Sequence, residues 1–163
     1  MSALDTSEIR EDSVLFKAVS ELIDQCDFAQ ETDGVCIQEL YDNGYHAICT
    51  GDLVKAGALF EHMLHLDPMD FRGWFGIGLV AYEEGNLDQA STCADRADVL
   101  VDNHAELKFF KAEIALEQGN FAEACSLLNN ALVLIEGKHS HPLKCEINRT
   151  LAKLSKKTPK VSA

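Results

Sequence analysis

The sequence of 163 residues predicts an all-α chain: a stack of helix pairs, preceded by one amphipathic helix and closed by another. Three observations predict it. A triplet, Gly51-Asp52-Leu53, returns as Gly85-Asn86-Leu87 and as Gly119-Asn120-Phe121, a spacing of 34 residues. Other positions keep the same register: Ala56, Ala90 and Ala124 follow the triplets, Leu66, Leu100 and Leu134 close each unit, and Gly44, Gly78 and Ala112 precede each glycine by seven residues. Outside the repeats, apolar residues recur at helical spacing, as Leu15, Val19, Leu22 and Cys26 near one end and as Leu143, Ile147, Leu151 and Leu154 near the other.

Each element follows from local chemistry. The N-terminal stripe, with Phe16 and Ile23 beside it, predicts an amphipathic helix from about Glu8 to Asp27, after a loose polar start over 1–7. Gln30 to Gly34 reads as a polar linker. Paired helices are then expected near 35–49 and 53–66, 70–83 and 87–100, and 104–117 and 121–135. Within each pair, the triplet glycine ends one helix in a left-handed conformation, and the Asp or Asn after it caps the next. The small residues at Gly44, Gly78 and Ala112, and at Ala56, Ala90 and Ala124, let the paired backbones approach closely. Gly137-Lys138-His139-Ser140-His141 breaks the period, Pro142 suits a first helical turn, and a final helix runs to about Lys156. Residues 157–163 read as a disordered tail. A 34-residue helix-turn-helix with small residues at these places is the tetratricopeptide (TPR) signature, which stacks into a right-handed solenoid. The chain divides into 1–34, N-terminal helix and linker; 35–136, three repeats (35–68, 69–102 and 103–136); and 137–163, capping helix and basic tail.

Charge narrows the partners. The net charge is −13, and residues 37–136 carry 17 acidic against 5 basic groups, whereas 137–163 carry 1 against 7. Phosphate binding needs clustered Lys and Arg, so an acidic body argues against nucleic acid. The six cysteines show no Cys-x-x-Cys pairing and fall mostly among apolar helix positions, as free buried thiols do in a reducing compartment. The N-terminus lacks the basic start and apolar core of a secretory signal, and no apolar run is long enough for membrane insertion. A cytoplasmic protein is expected.

In a stack of this type the first helix of each pair lines the concave side. The positions that point into the groove are then Gln38, Tyr41, Tyr45, Ile48 and Cys49; Arg72, Phe75, Leu79, Tyr82 and Glu83; and Glu106, Phe109, Glu113, Leu116 and Glu117. Tyr41, Phe75 and Phe109 make one position aromatic in all three copies. Phe110 competes with Phe109 for the groove-facing place. An aromatic and aliphatic lining with a few carboxylates suits an apolar peptide. The repeat type that clamps acidic chaperone tails uses Lys, Asn and Arg here, and Glu83, Glu113 and Glu117 would repel such a tail.

The segment Leu40-Tyr41-Asp42-Asn43-Gly44-Tyr45-His46-Ala47-Ile48-Cys49-Thr50-Gly51-Asp52, with Leu66-Asp67, Phe71-Arg72-Gly73-Trp74-Phe75-Gly76-Ile77-Gly78 and Ala112-Glu113, resembles the class II chaperones of bacterial type III secretion systems. These hold hydrophobic translocator proteins before export. The resemblance covers about residues 10–155. It implies a cytosolic protein whose concave groove takes an extended segment near the N-terminus of a translocator, keeping it soluble and export-competent. The groove residues it implies are Tyr41, Tyr45, Ile48, Phe75, Leu79, Tyr82, Phe109 and Leu116. It also implies dimerisation through the N-terminal region, where Phe16, Val19 and Ile23 are the candidates, although the same stripe suits a plain cap of the stack. Departures from the repeat pattern are Asn43, Ala94, and Lys108 and Lys111 where large apolar residues are usual.

Nothing points to an enzyme or a cofactor. The sequence has no phosphate loop, no Gly-x-Ser-x-Gly and no His-Glu-x-x-His. His62 with His65, and His139 with His141, have the spacing of paired metal ligands but no placed third ligand, so no metal site is expected. The alternative to a chaperone is a structural TPR adaptor that docks a folded partner within a larger assembly.

Overall fold

The structure, a computed structural model, describes residues 14–25, 31–32, 34–138 and 141–157. The loose start, the disordered tail and the outer turns of the expected N-terminal helix lie outside the described residues. The architecture is that of an all-α, TPR-type solenoid. α1 (Val14–Gln25) is followed by a short antiparallel pair, β1 (Glu31–Thr32) in the expected linker and β2 (Val35–Cys36) where the first repeat helix was expected to begin. Three helix pairs follow: α2 (Ile37–Cys49) with α3 (Leu53–Leu66), α4 (Phe71–Glu83) with α5 (Leu87–Leu100), and α6 (Ala105–Glu117) with α7 (Phe121–Leu134). α8 (Leu143–Lys157) packs on α7.

The repeated turn is the same each time. Gly51, Gly85 and Gly119 have φ of 82°, 78° and 78°, the left-handed conformation that only glycine adopts freely. Each donates its N–H to the carbonyl three residues back, and the next residue reaches further: Asp52 N to Ala47 O, Asn86 N to Ala81 O and Asn120 N to Ala115 O are all 2.8 Å. This is the Schellman closure, which satisfies the last carbonyls of the first helix. Asp52 and Asn86 then cap the second helix through the N–H groups of Lys55 and Gln89. The third cap differs from expectation. Asn120 makes no such bond, and its amide nitrogen turns instead to Gln118 Oε1 at 3.4 Å.

The small residues are required by packing. Phe60 on α3 is fully buried, and its ring lies between Gly44 on α2 and Gly76 on α4. A Cβ on Gly44 would stand 2.7 Å from the ring, and one on Gly76 would stand 2.2 Å from it. One side chain thus joins the first helix pair to the second. Gly78 does the same more loosely, with Phe110 and Cys93 within 3.3 Å of an added Cβ.

The departures in the third pair are resolved by charge. Lys108 reaches Asp98 at 2.6 Å, and Lys111 reaches Asp95 at 2.7 Å and Asp98 at 3.4 Å, so α6 is tied to α5 by ion pairs. Burial pulls the Lys111 ammonium down, but Asp95 and Asp98 outweigh it and hold it above the usual lysine range. The cysteines are less buried than the sequence suggested. Of the five described, all free, only Cys93 is buried, and burial pushes its thiol up; Cys36 and Cys145 are exposed. Cys36 lies at the end of the short strand pair and Cys145 faces outward from the terminal helix.

Gly76→Ala should destabilise the protein by about 1–3 kcal/mol, because the Phe60 ring has no room to retreat. Gly57 lies mid-helix with nothing within 4 Å of an added Cβ. Gly57→Ala should therefore stabilise by about 0.5–1 kcal/mol. Urea unfolding followed by circular dichroism reads both.

Candidate functional site

The first helices of the three pairs, α2, α4 and α6, carry the residues expected to line a groove. The structure brings five of them into one hydrophobic cluster: Tyr41, Tyr45, Ile48, Phe75 and Leu79, with Tyr82 packed at its margin. Phe109 and Leu116 belong to a second cluster, shared with α7 and α8. The expected groove residues therefore do not form one continuous strip.

The two phenylalanines have different neighbours. Phe110 packs between pairs, meeting Phe75 edge-on at 5.3 Å and Tyr82 at 5.9 Å. Phe109 joins the second cluster, which includes Ala18 of α1.

α1 packs against part of this set. Its buried face, Ala18, Val19, Leu22 and Ile23, alternates with exposed Lys17, Glu21, Asp24 and Gln25. Val19, Leu22 and Ile23 join the first cluster, while Ala18 joins the second, so one short helix bridges both. α1 packs against α6 and α8, and its Phe16 ring stacks on Tyr45 of α2 with centroids 4.1 Å apart. Tyr45, beneath the Phe16 ring, is 4% exposed, and Phe109, clustered with Ala18, is 5% exposed. Tyr82 and Leu116 remain partly accessible. The three residues considered for dimerisation thus face the chain's own interior: Val19 and Ile23 are buried, and Phe16 lies on Tyr45. A stripe widened on both sides signals a helix covered on more than one side, and that is the sequence cue to this placement.

The polar groups around the site are mostly structural. Arg72, fully buried, is held by Asp70 at 2.6 Å and donates to Gln38 Oε1 at 2.9 Å, linking equivalent positions of neighbouring pairs. Glu106, the next equivalent, is met by His141 Nε2 at 3.2 Å. Leu143 N–H donates to His141 Nδ1, which assigns the ring proton to Nε2. The Tyr41 hydroxyl is different: it is buried with no hydrogen-bond partner. Burial, then the neighbouring Tyr45 and Asp42, push its ionisation well above the usual tyrosine range. Burial also pushes the Glu83 carboxyl up. Among the described residues, no group of three or more His, Cys, Asp or Glu side chains is placed to hold a metal. No described helix is long and apolar enough to cross a membrane.

No family model and no curated protein matches the sequence. Solved structures do. The type III secretion translocator chaperone SycD of Yersinia enterocolitica, seen as an alternative dimer, is similar at 26% identity and a TM-score of 0.69, over 74% of this chain and 92% of that one. SycD in complex with a peptide of the translocator YopD matches at 26% identity and a TM-score of 0.67, over 74% of this chain and 93% of that one. PcrH in complex with the chaperone-binding region of PopD shares the fold at 23% identity and a TM-score of 0.66, covering 74% and 92%. The TPR2B domain of yeast Sti1, in complex with pHsp70, shares it at 18% and 0.67, covering 75% and 98%. The structural neighbours of this chain therefore include translocator chaperones, which are binding proteins rather than enzymes.

Asp70→Ala would remove the carboxylate that holds the buried Arg72 guanidinium, and should cost about 3–5 kcal/mol in chemical denaturation. Asp95→Ala removes an ion pair whose carboxylate is largely exposed, and should change stability by about 1 kcal/mol or less.

Proposed function

We propose that this protein is a translocator chaperone of a type III secretion system, working in the cytoplasm. The observation that carries the reading is the likeness to SycD across 92% of that chain's length, with SycD itself seen holding a translocator peptide. The aromatic and aliphatic inner face of α2, α4 and α6 agrees with it, since such a lining suits an apolar segment and not a charged tail.

In this reading, residues 35–136 form the cargo-binding array, 137–163 cap it, and 1–34 govern access to it and pairing with a second copy. Tyr41, Tyr45, Ile48, Phe75, Leu79, Tyr82, Phe109 and Leu116 meet an extended segment near the cargo's N-terminus. A translocator carries surface made for a membrane, and that surface aggregates in water. Sequestering one such segment lowers the free concentration of the aggregating species by mass action. No bond is made or broken. The requirement is affinity high enough to hold the cargo and low enough to release it at the export machine.

The test is capture from the native cytosol with identification by mass spectrometry, wild type beside a Tyr82→Ala/Leu116→Ala variant. These two side chains are partly accessible. Their truncation should leave the helical circular dichroism intact. One membrane-inserting protein should be captured by the wild type and weakened at least about tenfold by the variant, the loss expected on removing contact anchors. Folded partners that stay soluble alone, and that the variant retains, would make the protein an adaptor instead.

A further inference from the structure

We propose that α1 is a resident, displaceable occupant of the inner face of the array. The proposal rests in part on the chaperone reading, because it makes α1 the competitor that cargo must replace.

Two of the residues that would meet cargo lie under α1. Tyr45, beneath the Phe16 ring, and Phe109, clustered with Ala18, are 5% exposed or less, so no second segment reaches them while α1 is seated. Peptide binding and α1 docking are mutually exclusive, so the apparent affinity for cargo falls by the fraction of molecules in which α1 has left.

Two features make α1 a bound ligand in character more than a fixed element. The contacts seen between α1 and the array are apolar, through Phe16, Ala18, Val19, Leu22 and Ile23, and such contacts are non-directional and interchangeable between occupants. Finally, the Tyr41 hydroxyl lies buried and unpartnered beside Tyr45, on which Phe16 stacks. α1 offers it no acceptor. An occupant with a carbonyl in reach would complete that hydrogen bond, giving a replacement an advantage that α1 lacks.

What a competitor must replace is set by α1 itself: the apolar side chains of Val14, Leu15, Ala18, Val19, Leu22 and Ile23, opposite a polar outer face. The probe is a fluorescein-labelled peptide of residues 14–25, added to the full chain. A Val19→Asp/Leu22→Asp variant, which undocks its own α1, should bind the peptide at least about tenfold more tightly than wild type does. The same peptide carrying both aspartates should not bind. Equal binding to both proteins, or none to a variant that circular dichroism shows still helical, would overturn the proposal. Hydrogen exchange on the unmodified chain supplies the second measurement should the variant fail to fold. The amides of α1 should exchange at least about a hundredfold faster than those of α4, through local opening. Exchange of α1 at the rate of α4 would make it a fixed part of the core and end the idea. Neither readout uses a translocator, so a failure here leaves the chaperone reading to its own test.

Discussion

The stack depends on one ring in a glycine socket. Phe60 contributes a large buried surface, but it does so only because α2 and α4 each present a glycine where its ring edge arrives. That contact sets the distance between the first helix pair and the second, and with it the placement of Tyr41, whose ring lies 6.1 Å from Phe60. Interiors packed to crystalline density transmit such constraints, since a displaced ring has nowhere to relax. The recurrence of small residues along the chain is therefore a record of where backbones must approach, and the position of the inner face follows from it.

Charge performs the same task where apolar packing is weaker. The junction between α5 and α6 replaces two large apolar side chains with Lys108 and Lys111, and Asp95 and Asp98 answer them. At the opposite end, Glu106 and His141 tie α6 to the start of α8. Arg72 joins Asp70 to Gln38 between the first two pairs. Neighbouring elements are thereby tied along the solenoid, and the buried Arg72 and Glu106 are groups that would be costly to bury alone.

The apolar residues that α2, α4 and α6 turn inward are continuous with the buried face of α1, which joins both hydrophobic clusters. Packed in this way, neither side leaves a large apolar surface in water.

Much of this was legible in the chain before any coordinates. The register of Gly51, Gly85 and Gly119 and of Ala56, Ala90 and Ala124 determined the helix pairs, their turns and their bounds to within a residue or two, because these depend on backbone conformation and on contacts between near neighbours. What the linear pattern left open was long-range. Which of Phe109 and Phe110 packs between the second and third pairs depended on where α4 stands, and Phe75 and Tyr82 claimed Phe110. The use of Lys108 and Lys111 depended on carboxylates of another helix. Most of all, the stripe on α1 shows a helix that must be covered, but hydrophobicity carries no direction and names no partner. Only the folded array, by presenting Tyr45 opposite Phe16 and an open seam for Ala18, Val19, Leu22 and Ile23, decided that the chain would cover that helix with itself.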